Sequence, residues 1–277
     1  MRSILVYADR GKTIQARLET ALSLARMADG HVSVMVDTPI ARYTSFDPLG
    51  GSYIGADTIR EAMERDDAFA DELAARLARD DVPYDVLRCE DEPVDALADA
   101  ARLADVVVLS RDCDFAGDLA LSTRCPILLV PNRNFKLGEN ADADSEADPA
   151  VTGTLLPIQR ACIAWDGGEE AAAALRAAIP LLSGAEVFVL TVHEKQGGFP
   201  STGALRYLSR HGIKAEFFEV ERVGSTAESL GAAVARLQGD LLVMGAYGRS
   251  RMREFLFGGV TRHFLTAKVG PPLFLAH

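Results

Sequence analysis

The sequence predicts an α/β protein: a tandem duplication of two doubly wound domains, each built on a parallel five-stranded sheet. Three observations lead there. Short apolar strands without polar alternation are separated by segments of helical apolar spacing, the pattern of a parallel sheet covered on both faces. The same order of elements occurs twice at nearly equal spacing. Between the copies, residues 138–150 carry five acids, no base and no large apolar side chain, so they add nothing to a core and read as a linker. The domains are accordingly expected over residues 1–133 and 159–277, with the acidic linker over 134–158.

Each half opens with an apolar strand ending in aspartate, Ser3 to Asp9 and Ala161 to Asp166. Helical spacing follows over 13–28 and 169–182, then a glycine and a second strand, His31 to Val36 and Glu186 to Val192. Asp9 to Val36 spans 27 positions and Asp166 to Val192 spans 26, which argues for a repeat. The fourth strands match as Asp105 to Ser110 and Asp240 to Gly245. Each is preceded by a helix, one starting near Pro93, suited to a first helical turn, the other at Ser225, which forms a capping box with Glu228. Pro126 to Val130 and Pro272 to Ala276 close the halves, and an apolar closing strand at a sheet edge invites pairing.

The halves differ in two places. Asp9 to Asp105 spans 96 positions against 74 from Asp166 to Asp240. The extra length holds a Gly/Tyr-rich loop over 43–55 and a long helix near 58–80, capped by Thr58 and Glu61. Ile59, Met63, Phe69, Leu73 and Leu77 fall roughly on one face of that helix, which suits it to cover or interface. After the fourth strand the inequality reverses: Ser110 to Pro126 is 16 positions, whereas Gly245 to Pro272 is 27. The second half therefore keeps about eleven residues that the first lacks, and the chemistry is sought there.

Composition narrows the function. In 277 residues, 48% are apolar and 25% charged, enough for a proper core. Forty acids against 29 bases leave a net charge of −11, which disfavours a nucleic-acid polymer as partner. Cys89, Cys113, Cys125 and Cys162 have neither zinc spacing nor the density of a disulfide framework, so free thiols in a reducing cytoplasm fit best. Ile4 to Ala8 is too short an apolar stretch for a signal peptide, and no 18-residue uncharged run predicts a membrane span. GxxxxGK[ST], HExxH and GxSxG are all missing. His193 and His263 have no evident acid partner, so binding is expected rather than turnover, with slow hydrolysis of a bound ligand at most.

In the retained stretch, Met244 to His263, glycines 245, 248, 258 and 259 stand after a strand and before a helix, where a doubly wound sheet places its ligand crevice. Glycine lets backbone N–H groups approach an anion, and the helix adds its N-terminal dipole. Arg249, Arg251, Arg253 and Arg262 against Glu254 make a local charge of +3, which favours a small phosphorylated ligand. Asp166 by itself reads as the N-terminal cap of the helix after it.

This stretch resembles the G-x2-G-x9-G-[S/T] pattern of the universal stress protein family, with Gly245, Gly248 and Gly258 at the required spacing and Gly259 standing where the family has Ser or Thr. The hydroxyl lost there leaves Thr261 or backbone N–H groups to hold a phosphate. The resemblance covers both halves as a tandem protein, implies a Rossmann-like, adenine nucleotide alpha hydrolase-like fold, and implies ATP as ligand, with Mg2+ arriving on the nucleotide. It gives Asp166 a ribose or adenine contact and Val192 a backbone contact to the base. The implied site comprises Ala164, Asp166, Val192, Met244, Gly245, Gly248, Arg249, Gly258, Gly259, Val260 and Thr261. In the first half, Ser110-Arg-Asp-Cys-Asp114 replaces the glycine loop, so no ATP is expected there. The family pattern also implies that the closing strands meet in a dimer, here formed internally by the two halves, with further self-association open to the long helix. A weak ATPase or nucleotidyl-handling enzyme and a ligand-free dimerisation scaffold remain as alternatives.

Overall fold

The computed structural model describes residues 1–11, 13–40, 44–46, 52–54, 56–131, 156–193, 202–247, 259–267 and 270–277. The first half runs β1 (Ser3–Tyr7), α1 (Ile14–Ala28), β2 (His31–Asp37), a short hairpin of β3 (Thr44–Phe46) and β4 (Ser52–Ile54), α2 (Ala56–Leu77), β5 (Tyr84–Cys89), α3 (Pro93–Ala100), β6 (Val106–Ser110), α4 (Ala116–Ser122) and β7 (Ile127–Val130). The second runs β8 (Arg160–Ala164), α5 (Glu169–Ala178), β9 (Glu186–His193), α6 (Thr202–Arg210), β10 (Ala215–Glu221), α7 (Thr226–Arg236), β11 (Leu241–Gly245), α8 (Gly259–Thr266) and β12 (Leu273–Ala276).

Apart from the hairpin, every strand among the described residues belongs to one ten-stranded sheet of order β10-β9-β8-β11-β12-β7-β6-β1-β2-β5. Each half is parallel and doubly wound, its first and fourth strands adjacent at the point where strand order reverses. The halves join where β7 and β12 pair antiparallel, with Leu129 opposite Leu273 and Ile127 opposite Leu275. Every residue of both strands is buried, which accounts for their unbroken apolar sequences: they form the centre of a sheet, not an edge. Helices α1, α2, α5 and α6 pack on one face and α3, α4, α7 and α8 on the other.

The duplication is written in hydrogen bonds as well as topology. Asp105, just before β6, accepts the N–H groups of Arg2 (2.5 Å) and Ser3 (3.1 Å) and so anchors the start of β1. Asp240, just before β11, does the same for β8 through the N–H groups of Gln159 (2.8 Å) and Arg160 (2.9 Å). After β1, Asp9 accepts the N–H of Gly11 (2.7 Å); after β8, Asp166 accepts that of Gly168 (2.8 Å). Pro93 stands in the first turn of α3, and the Ser225–Glu228 capping box is formed in full.

Three expectations shift. The long helix starts at Ala56 and ends at Leu77, so Thr58 lies inside its first turn instead of capping it. The helix is not peculiar to the first half either, because the shorter α6 makes the same crossover in the second; what is added is helix length and the β3–β4 hairpin. Residues 134–155 of the expected linker lie outside the described residues, whereas Leu156 and Ile158 at its end are buried in the core.

Candidate functional site

At the carboxyl end of β8, the N–H of Trp165 donates to the carbonyl of Leu190 (2.8 Å) and the hydroxyl of Thr191 donates to the carbonyl of Trp165 (2.8 Å). These bonds hold the ends of β8 and β9 side by side, with Ala164 and Val192 both half-buried. Asp166 projects beyond them and is exposed. One carboxylate oxygen accepts the Gly168 N–H in the turn that starts α5; the other has no partner among the described residues. A carboxylate placed so can take two hydroxyl hydrogen bonds.

Across the crevice, β11 ends in buried Met244 and then Gly245. A Cβ on Gly245 would stand 2.6 Å from the nitrogen of Ala171 and 2.6 Å from the carbonyl carbon of Glu170. The glycine is therefore required by the close approach of α5 to the strand end. Two residues on, Tyr247 adopts a left-handed backbone (φ 57°), unusual for an aromatic residue. Its N–H donates to the hydroxyl of Thr261 (3.2 Å), and its ring meets that of His277 edge-on at 6.5 Å. Thr261 is buried, and its hydroxyl ties the end of β11 to α8 instead of standing open towards the crevice. Gly259, at the start of α8, is exposed and has nothing within 4 Å of its missing Cβ; Val260 beside it is half-buried. Gly248, Arg249 and Gly258 lie outside the described residues, as do Arg251 and Arg253.

Electrostatics separate the two helix N-termini at this end of the sheet. The first turn of α5 carries Glu169 and Glu170, which complement its dipole and repel an added anion. The first turn of α8 carries no acid, so no side chain of that turn offsets the positive end of its dipole. His263 sits in the last turn of α8, away from that end, so the structure does not bring it to the crevice. The His193 side chain lies outside the described residues. A separate cavity of about 730 Å³ at the seam between the halves is lined by Arg102, Arg124 and Arg176. The C-terminal ends of α3, α4 and α5 border it, and their dipoles oppose a phosphate.

In the first half the equivalent crevice is occupied by the protein's own side chains. Arg17 is fully buried; it donates to Asp9 (2.6 Å) and to the carbonyl of Tyr7 (2.7 Å). The hydroxyls of Thr13 and Ser110 bond at 2.5 Å, drawing α1 onto the end of β6. Above them α2 closes in: Asp66 pairs with Arg10 (2.7 Å) and accepts the Thr38 hydroxyl (2.8 Å), while Arg10 lies over the Phe69 ring at 5.4 Å. Asp9 therefore has a structural role, and the extra length of α2 supplies the cover. Burial pushes the Cys113 thiol beside this cluster up to about 12, which keeps it protonated.

Arg17 could have been found in the sequence. It falls on the apolar face of α1 set by Ile14, Leu18, Ala21 and Leu22, where a charge needs a partner. Tyr247, Gly117 and Arg111 gave no such sign, because their contacts come from the other half. Among the described residues, no group of three or more His, Cys, Asp or Glu could hold a metal ion, and no helix is long and apolar enough to cross a membrane.

No family model matches the sequence, and no curated protein is significantly similar to it. Solved structures are similar in fold. A universal stress protein from Archaeoglobus fulgidus DSM 4304 superposes with a TM-score of 0.66 at 16% identity, covering 99% of this chain and 96% of that one. A protein from Pseudomonas aeruginosa UCBPP-PA14, provisionally assigned as a universal stress protein, superposes at 0.57 with 14% identity, over 100% of this chain and 93% of its own. A protein of unknown function from Pseudomonas aeruginosa PAO1 does so at 0.57 and 14%, over 100% and 92%. The chain thus has the universal stress protein fold along its whole length, and the resemblance drawn from the glycine spacing is borne out in the fold.

Proposed function

We propose that this chain is a tandem universal stress protein that binds ATP in its second half and reports nucleotide or stress state through its conformation. The observation that carries the reading is the acid-free N-terminus of α8, open to solvent at Gly259 and reached from the end of β11 through glycines of the family's spacing. Residues that complement a nucleotide surround it. The free carboxylate oxygen of Asp166 suits a ribose hydroxyl. The backbone at Val192 suits an adenine edge, with Ala164 and Met244 as the apolar floor between strands. Gly248, Arg249, Gly258, Gly259 and Val260 belong to the phosphate side, Thr261 contributes there only through its backbone because its hydroxyl serves Tyr247, and Mg2+ would enter on the phosphates. The first half, 1–133, binds no nucleotide in this reading; the segment 134–158 links it to the binding half, 159–277. The β7–β12 pairing supports an internal pseudo-dimer of the two halves. The reading places the protein in the cytoplasm, where ATP is abundant.

Binding, not turnover, is the activity. His263 stands in the last turn of α8, away from the end that faces the crevice, which supports binding over turnover. Trp165, the only tryptophan, lies next to Asp166 and serves as a built-in reporter. Titration of the full chain with ATP and Mg2+, followed by Trp165 fluorescence and calorimetry, should show saturable binding that Asp166→Ala weakens about tenfold or more. No saturable binding at millimolar ATP would overturn the reading, and sustained release of ADP would replace it with an ATPase.

A further inference from the structure

Among the described residues, the side chains of Arg111 and Tyr247 each make a contact across the seam that involves α8 or the end of β11. The first is Arg111, which follows β6 where the second half has its glycine stretch. The residue is 5% exposed, and its guanidinium donates to the carbonyls of Phe264 (2.8 Å) and Pro271 (2.5 Å). Phe264 lies in the last turn of α8, so a cation from the first half caps the end of the helix whose start faces the crevice. Burial lowers the guanidinium pKa to about 10, which leaves it charged at neutral pH. Gly270 makes room for it: a Cβ there would stand 2.8 Å from the guanidinium. The second contact is the Tyr247 ring, whose hydroxyl lies directly over Gly117 of α4, where no Cβ would fit. Leu265 of α8 closes on the same spot, 3.3 Å from that missing Cβ.

We infer that the first half, which has no glycine loop, positions the anion-facing end of the second, with Arg111 and Gly117 as positioning residues for α8 and for the left-handed Tyr247. A helix fixed at its C-terminus by a buried cation, and tied in its first turn through Thr261 to Tyr247, holds its N-terminal N–H groups in one orientation. Neither residue touches the ligand. Loss of either should loosen α8 without unfolding the sheet, because β7 and β12 remain paired. This role rests on the nucleotide reading above, but the state of α8 can be measured without nucleotide.

The test uses the full chain with Arg111→Met, Arg111→Lys, Gly117→Ala and the double variant Gly117→Ala, Tyr247→Phe. In nucleotide-free protein, hydrogen exchange of the α8 amides should quicken about tenfold in Arg111→Met while the β8 and β9 amides keep their rates. ATP affinity measured by calorimetry should fall about tenfold in Arg111→Met and less in Arg111→Lys, which retains the charge but not the fork that serves two carbonyls. Gly117→Ala should weaken ATP binding, and adding Tyr247→Phe should restore it by removing the hydroxyl the new methyl strikes; a merely structural defect would not be rescued so. Unchanged α8 exchange in Arg111→Met and Gly117→Ala overturns the inference. If wild-type protein binds no ATP, the nucleotide reading fails, and the exchange measurement alone decides whether the first half holds α8.

Discussion

Gly245→Ala tests whether the end of β11 is shaped by the helix packed on it. The new Cβ would meet Ala171 N and the Glu170 carbonyl carbon at 2.6 Å and Glu170 Cβ at 2.8 Å. Two of these atoms are main chain, so no change of rotamer clears them. Restoring an ordinary 3.4 Å contact requires the first turn of α5 to retreat by about 0.8 Å. That helix carries Ala171, Ala174, Leu175 and Ala178 into the core, and it cannot tilt without opening gaps there. Overpacking of this kind costs about 1–3 kcal/mol. At roughly 2–4 °C per kcal/mol for a chain of this size, Tm should fall by about 2–12 °C in a thermal melt followed by Trp165 fluorescence. Gly259→Ala is the control, since its Cβ meets nothing within 4 Å, and it should melt with the wild type. A Gly245→Ala protein as stable as the control would refute the close-approach argument and return Gly245 to a purely ligand-facing role.

Gly259→Ser places the family's hydroxyl at the start of α8 in open space, so it should leave Tm within about 1 °C of wild type and tighten ATP binding several-fold by calorimetry; weaker binding would count against a phosphate at α8. Iodoacetamide at pH 8, read by peptide mass spectrometry, should label half-exposed Cys89 first, because burial pushes Cys113, Cys125 and Cys162 each up to about 12; equal labelling of Cys162 would contradict its burial. The N–H groups of Arg2 and Ser3 hold the Asp105 carboxyl below its usual 3.8, so its contribution is complete above that value and disappears as pH falls through the lower folded value. Urea midpoints of wild type and Asp105→Asn should therefore differ at neutral pH and converge below about pH 4; a constant gap would remove Asp105 from the acid response. Ser225→Ala breaks the capping box of α7 and should cost about 1 kcal/mol in urea unfolding, whereas a neutral effect would mean that α7 is held by packing alone.

What the sequence made legible is what short-range chemistry controls. Non-alternating strands, Pro93, the Ser225–Glu228 box and the equal spacing of Asp9 and Asp166 each act within one or two elements, and each appears in the structure. The start of α2 was misjudged because Thr58 and Glu61 mimic a capping box although helix is already under way at Ala56. The glycine spacing pointed to the correct end of the sheet but not to the reason for Gly245, since the atoms that demand it lie some 75 positions earlier in the chain. Arg111 was read only as part of a replaced loop. Its partners, Phe264 and Pro271, are more than 150 positions away and become neighbours only once β7 and β12 pair.

That antiparallel join reverses the polarity of the sheet once, at its midpoint. The carboxyl ends of β1 and β6 consequently point one way and those of β8 and β11 the other, so the self-filled crevice and the open one look out on opposite surroundings. Between the two ends lie the paired strands and the seam contacts of Arg111 and Tyr247, so any coupling of one crevice to the other has to cross that join.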